Sequence, residues 1–151
     1  MITATLPIKS VVFDMGNVLV RWAPHDVIEE VFPDYNPITF YQQIHPHWLD
    51  LNLGRITEKE AIYLYHNQLA IPKDQIQHFL YKLKLAQTPI HGTLELLQKL
   101  TEIKVPLYMI TDNIKEFIDY HRVHSAFMNY FKDIIVSADL GILKPDPRIY
   151  H

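Results

Sequence analysis

Three residues of chemically capable type stand at the ends of short apolar runs. Asp14 follows Val11-Val12-Phe13, Thr111 follows Leu107-Tyr108-Met109-Ile110, and Lys144 sits in Gly141-Ile142-Leu143-Lys144-Pro145-Asp146-Pro147. A carboxylate at the C-terminal end of a strand lies where open parallel sheets bind ligands. There it can attack phosphorus and form an acyl-phosphate, dividing one hard hydrolysis into two easier steps. Gly16, two residues on, is read as the residue that permits a tight turn and lets backbone amides approach an anion. The Thr111 hydroxyl and the Asn113 amide can donate to phosphoryl oxygens, helped by the amides of the helix start that follows. A lysine between a glycine turn and a proline-stiffened helix start has a restricted direction, which suits neutralising a phosphoryl group or a carboxylate. Each segment alone also has a bland structural reading. Asp14 can cap a turn, Thr111 or Asp112 can cap a helix, and Lys144 can be a solvated surface residue.

The elements that must position these groups are legible as patterns. Ile8 to Phe13, Val105 to Ile110 and Ile134 to Val136 read as buried parallel strands, apolar on both faces and closed by polar loops. Helical patterns between and after them make a βα alternation, and so a parallel sheet, the leading architecture. From Trp22 to Thr88 no strand pattern is found, only helix starts. Asn36-Pro37 places a capping residue before a proline at the first helical position. Thr57-Glu58-Lys59-Glu60 has capping-box spacing. Pro72 opens a third helix, with Ile76, Phe79, Leu80 and Leu83 on one face. Helices are also read over Thr93 to Thr101, with Leu94, Leu96, Leu97 and Leu100 apolar, from Ile114 to about His121, and from Asp146-Pro147 onward. The fold class is therefore α/β, a Rossmann-like parallel sheet of three visible strands with an inserted helical lobe. The core is assigned to residues 1–21 and 89–151 and the lobe to 22–88.

Composition narrows the chemistry. The 151 residues are 48% hydrophobic, enough to bury a core, and the net charge of −3 is not gathered into blocks of one sign. Nucleic-acid and anionic-membrane partners are not indicated. The absence of cysteine excludes thiolate nucleophiles, thiolate metal sites and disulfides within this sequence. No signal-peptide pattern or apolar run of about 20 residues is found, so a cytoplasmic protein is expected. The histidines, among them His45, His47, His66, His121 and His124, show no metal-binding spacing and are read as scattered. Phe32, Tyr35, Phe40, Tyr41 and Trp48 are read as core of the helical lobe. Arg21-Trp22 is read either as a contact to a ligand where the lobe joins the sheet or as interface packing.

Taken together, Phe13-Asp14-Met15-Gly16-Asn17-Val18, Ile110-Thr111-Asp112-Asn113 and Leu143-Lys144-Pro145-Asp146-Pro147-Arg148-Ile149-Tyr150 resemble, in order and type, the first three motifs of the haloacid dehalogenase-like hydrolases. The helical insert resembles the cap of that superfamily's first subclass. Leu53-Gly54-Arg55-Ile56-Thr57 resembles its sugar-phosphate phosphatase branch. The resemblance implies Asp14 as nucleophile, Thr111 as a phosphoryl-oxygen donor and Lys144 as the balancing charge. It also implies Mg2+ held by the Asp14 carboxylate and the Gly16 carbonyl, and a small phosphorylated metabolite as substrate, contacted by Thr111, Asn113 and Lys144.

Two departures from the pattern are visible. Most family phosphatases have an aspartate, acting as general acid and base, where this chain has Gly16. The acidic residues of the fourth motif are not found in this sequence. Three readings therefore stand: a phosphatase, a 2-haloacid dehalogenase using Asp14 on carbon, and a non-catalytic homologue that binds a phosphorylated ligand or a protein. The sequence also leads us to expect weak magnesium binding and self-association through an exposed edge of the first strand.

Overall fold

The computed structural model describes residues 8–151. Three strands form one parallel sheet in the order β1-β2-β3: Val11–Phe13, Leu107–Thr111 and Asp133–Val136. Phe13 pairs with Met109, and Thr111 pairs with Val136, so all three strand ends open on one edge of the sheet. The three predicted strands are all present, with shifted ends. The expectation that β1 is buried on both faces does not hold, because Val12 is 54% exposed. As an outer strand among those described, β1 packs only its Val11 and Phe13 side toward the core.

Seven α-helices accompany the sheet among the described residues. They are α1 (Pro24–Val31), α2 (Pro37–Asn52), α3 (Glu58–Leu69), α4 (Lys73–Ala86), α5 (Thr93–Glu102), α6 (Lys115–His124) and α7 (Ser137–Leu140). Local caps act where the sequence placed them. The Asn36 side chain accepts from the Thr39 amide at 3.0 Å, and Thr57 and Glu60 form a complete capping box. Helix α1 has no side-chain cap and carries no start signal beyond Pro24. It forms because Val27, Ile28 and Val31 share one apolar face that packs on α2 and α4. In α5, Leu97 is buried but Leu94 and Leu96 are exposed, which narrows the face predicted there. Asp146 caps only a short 3-10 turn, Pro147–Tyr150. None of the described helices is long and apolar enough to cross a membrane.

Two apolar clusters result. One joins α1 to α4 around Phe32, Phe40, Phe79 and Leu80. The other lies on the sheet around Met15, Leu97, Met109 and Phe127. Helix α6 belongs to both, through Phe117 in the first and Ile118 in the second. The chain enters and leaves the four-helix region through two connectors lying side by side. The Arg21 amide donates to the Thr88 carbonyl at 2.9 Å, and the Ile90 amide to the Leu19 carbonyl at 2.9 Å.

Candidate active site

Strand β1 delivers Asp14 to the open edge, and the next residues fold back on themselves. The Leu19 and Val20 amides both donate to the Met15 carbonyl, while the Asn17 amide donates to Val20 at 2.7 Å. The left-handed residue of this turn is Asn17, with φ 56. Asparagine tolerates that conformation, and its side chain here accepts from the Trp22 amide at 2.9 Å. Gly16 is exposed, and its amide and carbonyl carry no hydrogen bond among the described residues.

Asp14 and Lys144 meet across 130 residues of sequence. The Lys144 ammonium lies 2.8 Å from Asp14 Oδ1, which also accepts from the Met15 amide at 2.7 Å. The other carboxylate oxygen, Oδ2, has no hydrogen-bond partner among the described residues. Lys144 is held at both ends. Its backbone amide donates to Asp112 Oδ1 at 3.0 Å, and its ammonium also donates to the Ile110 carbonyl at 3.3 Å. Asp112 therefore does not cap α6; it fixes the loop that carries the lysine.

Thr111 ends β2 beside this pair but is only 1% exposed. Asn113 is 9% exposed and faces a cavity, its own groups already engaged. Its side-chain oxygen accepts from the Ile114 amide at 2.9 Å, and its nitrogen donates to the Met15 sulfur at 3.4 Å. Its backbone amide donates to the buried Ser137 hydroxyl, which in turn donates to the Asn52 carbonyl at 2.7 Å. One serine thus ties the strand-end loops to the last turn of α2.

The cavity, of about 220 Å³, lies between the strand ends and α2. Met15, Gly16, Asp112 and Asn113 form its floor, and Trp22, His45, Trp48 and Leu49 face them. Trp22 stacks on Trp48 with ring centroids 5.5 Å apart. Trp48, read from the sequence as core, is buried and yet walls this cavity. Arg21 turns away and pairs with Asp26.

Gln87, from the second connector, completes the wall with 7% exposure. Its side-chain oxygen accepts from His121 Nε2 at 2.7 Å, and the Ser125 hydroxyl donates to His121 Nδ1 at 2.8 Å. Burial, with the nearby His124 adding to it, lowers His121 to about 4, so the ring is neutral near pH 7. Nothing in the sequence singled out Gln87 or its contact with His121, because the two stand 34 residues apart.

A family model for haloacid dehalogenase-like hydrolases matches residues 8–151. The chain belongs to that family. It is similar to the sesquiterpene phosphatase of Aspergillus oryzae, at 26% identity over 144 residues, which are 94% of this chain and 70% of the relative. A family enzyme from Bacteroides thetaiotaomicron superposes with a TM-score of 0.76 at 22% identity, covering 95% of this chain and 75% of that one. A form of it in complex with magnesium and inorganic phosphate gives 0.75 at 21%, with the same coverage. The L-2-haloacid dehalogenase of Xanthobacter autotrophicus, with chloropropionic acid covalently bound, gives 0.66 at 16%, covering 95% and 62%. At these identities the structural likenesses establish a shared fold.

The donors on the strand-end edge can be weighed against magnesium. Among the described residues no three acidic or histidine side chains converge on one point. What is offered is the free Asp14 oxygen and the free Gly16 carbonyl. A hard, partly hydrated ion that commonly takes one or two carboxylates and keeps several waters fits that set.

Proposed function

We propose that this family member is a magnesium-dependent phosphatase of small phosphorylated metabolites, acting through an aspartyl-phosphate on Asp14. The observation that carries the reading is the Asp14 carboxylate at the C-terminal end of β1, with one oxygen held by Lys144 at 2.8 Å and the other without a hydrogen-bond partner among the described residues. One Asp14 carboxylate oxygen attacks phosphorus, the bond from phosphorus to the leaving oxygen breaks, and that oxygen takes a proton from solvent water to depart as an alcohol. Water then attacks the phosphorus of the aspartyl-phosphate, inorganic phosphate leaves, and the Asp14 carboxylate returns. Lys144 offsets charge on the carboxylate and the phosphoryl group throughout.

Asp14 and the Gly16 carbonyl would hold magnesium, whose chemistry is to polarise the phosphoryl oxygens and orient them. Thr111 and the amides of the Asp112-Asn113 loop are assigned to the phosphoryl oxygens. The helices of residues 22–88 serve as a cap that excludes water, moving on the paired connectors at Arg21 and Thr88. The unpartnered Gly16 carbonyl, a second oxygen donor for magnesium, and the similarity to a phosphatase both favour phosphorus over carbon as the centre attacked.

The test is phosphate release from p-nitrophenyl phosphate with magnesium, with chelator, and by Asp14→Asn. We expect metal-dependent turnover, lost in the variant. Chelator-resistant release, or wild-type rates from Asp14→Asn, would sink the scheme.

A further inference from the structure

The cavity beside Gly16 is walled by apolar rings and chains, and most of its polar side chains are already engaged within the protein. Trp22, Trp48, Leu49 and Leu143 supply the apolar surface. The Asn52 side-chain nitrogen donates to the Trp48 carbonyl at 2.8 Å. Both side-chain groups of Asn113 are occupied, as described above. Gln87 has its oxygen fixed by His121, leaving its amide nitrogen as one oriented donor. No lysine or arginine lines the space. Arg55, in the loop after α2, is paired with Asp50.

A leaving group rich in hydroxyls would surrender water here and find few free partners, at a cost that disfavours it. A second anionic group would meet no lysine or arginine, and His45 is the one basic side chain on the wall. An apolar chain would instead gain by burial against the two indole rings. We propose that this cavity is the leaving-group subsite and selects monophosphate esters of neutral, apolar alcohols, with Trp22 and Trp48 as its wall. This rests on the phosphatase reading, which it narrows to a substrate class.

The experiment uses the chain's own reporters, since its two tryptophans both line the cavity. Tryptophan fluorescence is titrated with hexyl phosphate, a hexose monophosphate and a hexose bisphosphate, with magnesium present, and phosphate release is followed in parallel. Hexyl phosphate should bind about ten-fold or more tightly than the hexose monophosphate. Trp22→Ala should reduce that preference several-fold while Trp48 still reports. Leu49→Arg, at a position 38% exposed and so tolerant of a long polar chain, should raise affinity for the bisphosphate about ten-fold.

Equal or tighter binding of the hexose esters overturns the proposal, as does unchanged fluorescence while calorimetry shows the esters bound. Selective binding of hexyl phosphate without phosphate release from any ester supports the subsite and overturns the phosphatase reading instead.

Discussion

A Cβ placed on Gly54 would lie 2.0 Å from the Ala138 carbonyl oxygen. The loop that ends α2 therefore touches the backbone after β3 with no room for a methyl group, and Gly54 also holds φ +64. This contact and the Ser137 clasp seat the helices against the strand ends. Gly54→Ala combines a left-handed conformation with a backbone clash, and should cost about 2–4 kcal/mol of stability. Urea denaturation measures it; a loss below about 0.5 kcal/mol, the level of a neutral surface change, would show that the contact relaxes freely.

Asp14→Asn should abolish turnover while leaving the fold intact, because an amide cannot take the place of the attacking carboxylate. Lys144→Met should retain a slow reaction, reduced by about 10²–10³-fold, the usual effect of losing one preorganised charge. Acid-quenched phosphoenzyme measured with radiolabelled substrate separates the two. A labelled Asp14→Asn protein would place the nucleophile elsewhere.

Gly16 has space for a side chain, since its Cβ would meet Trp22 Cβ at 3.7 Å and Trp22 Cγ at 4.0 Å, both ordinary contacts, and its φ is not left-handed. Gly16→Asp should fold with a Tm close to that of the parent. It would put a carboxyl group where most family phosphatases carry their acid and base. For esters with poor leaving groups, where proton delivery matters most, kcat should rise by about ten-fold or more. No gain, or a selective gain with p-nitrophenyl phosphate, whose leaving group needs no proton, would argue that the acid already lies elsewhere.

His121 makes stability depend on pH. Its folded value of about 4 lies below the ordinary 6.5, so between those values the unfolded chain binds more protons than the folded one. Stability then rises with pH across that window. The contribution is full above about 6.5 and is lost as pH falls toward 4, by about 2–3 kcal/mol in all. His121→Gln should flatten this part of the urea-midpoint profile between pH 4 and 6.5. An unchanged slope in the variant would assign it to other groups.

The sequence by itself determined whatever depends on neighbours a few residues apart. Asn36 finds the Thr39 amide and Thr57 finds Glu60 within one turn, so those helix starts were legible. The alternation of strands and helices placed Asp14 and Thr111 at strand ends, because parallel topology turns every strand end to one edge, while Lys144 reaches Asp14 from beyond α7. The tight turn after β1 is present, but that Asn17 is its left-handed residue shows only in the folded backbone. What only the tertiary structure decided are relationships between elements. Trp48 became cavity wall as well as core, Asp112 held Lys144 and not a helix, and His121 oriented Gln87. Each depends on how α2, α6 and the second connector pack against the sheet. That packing is set by the summed shape of two apolar clusters, which no local spacing records.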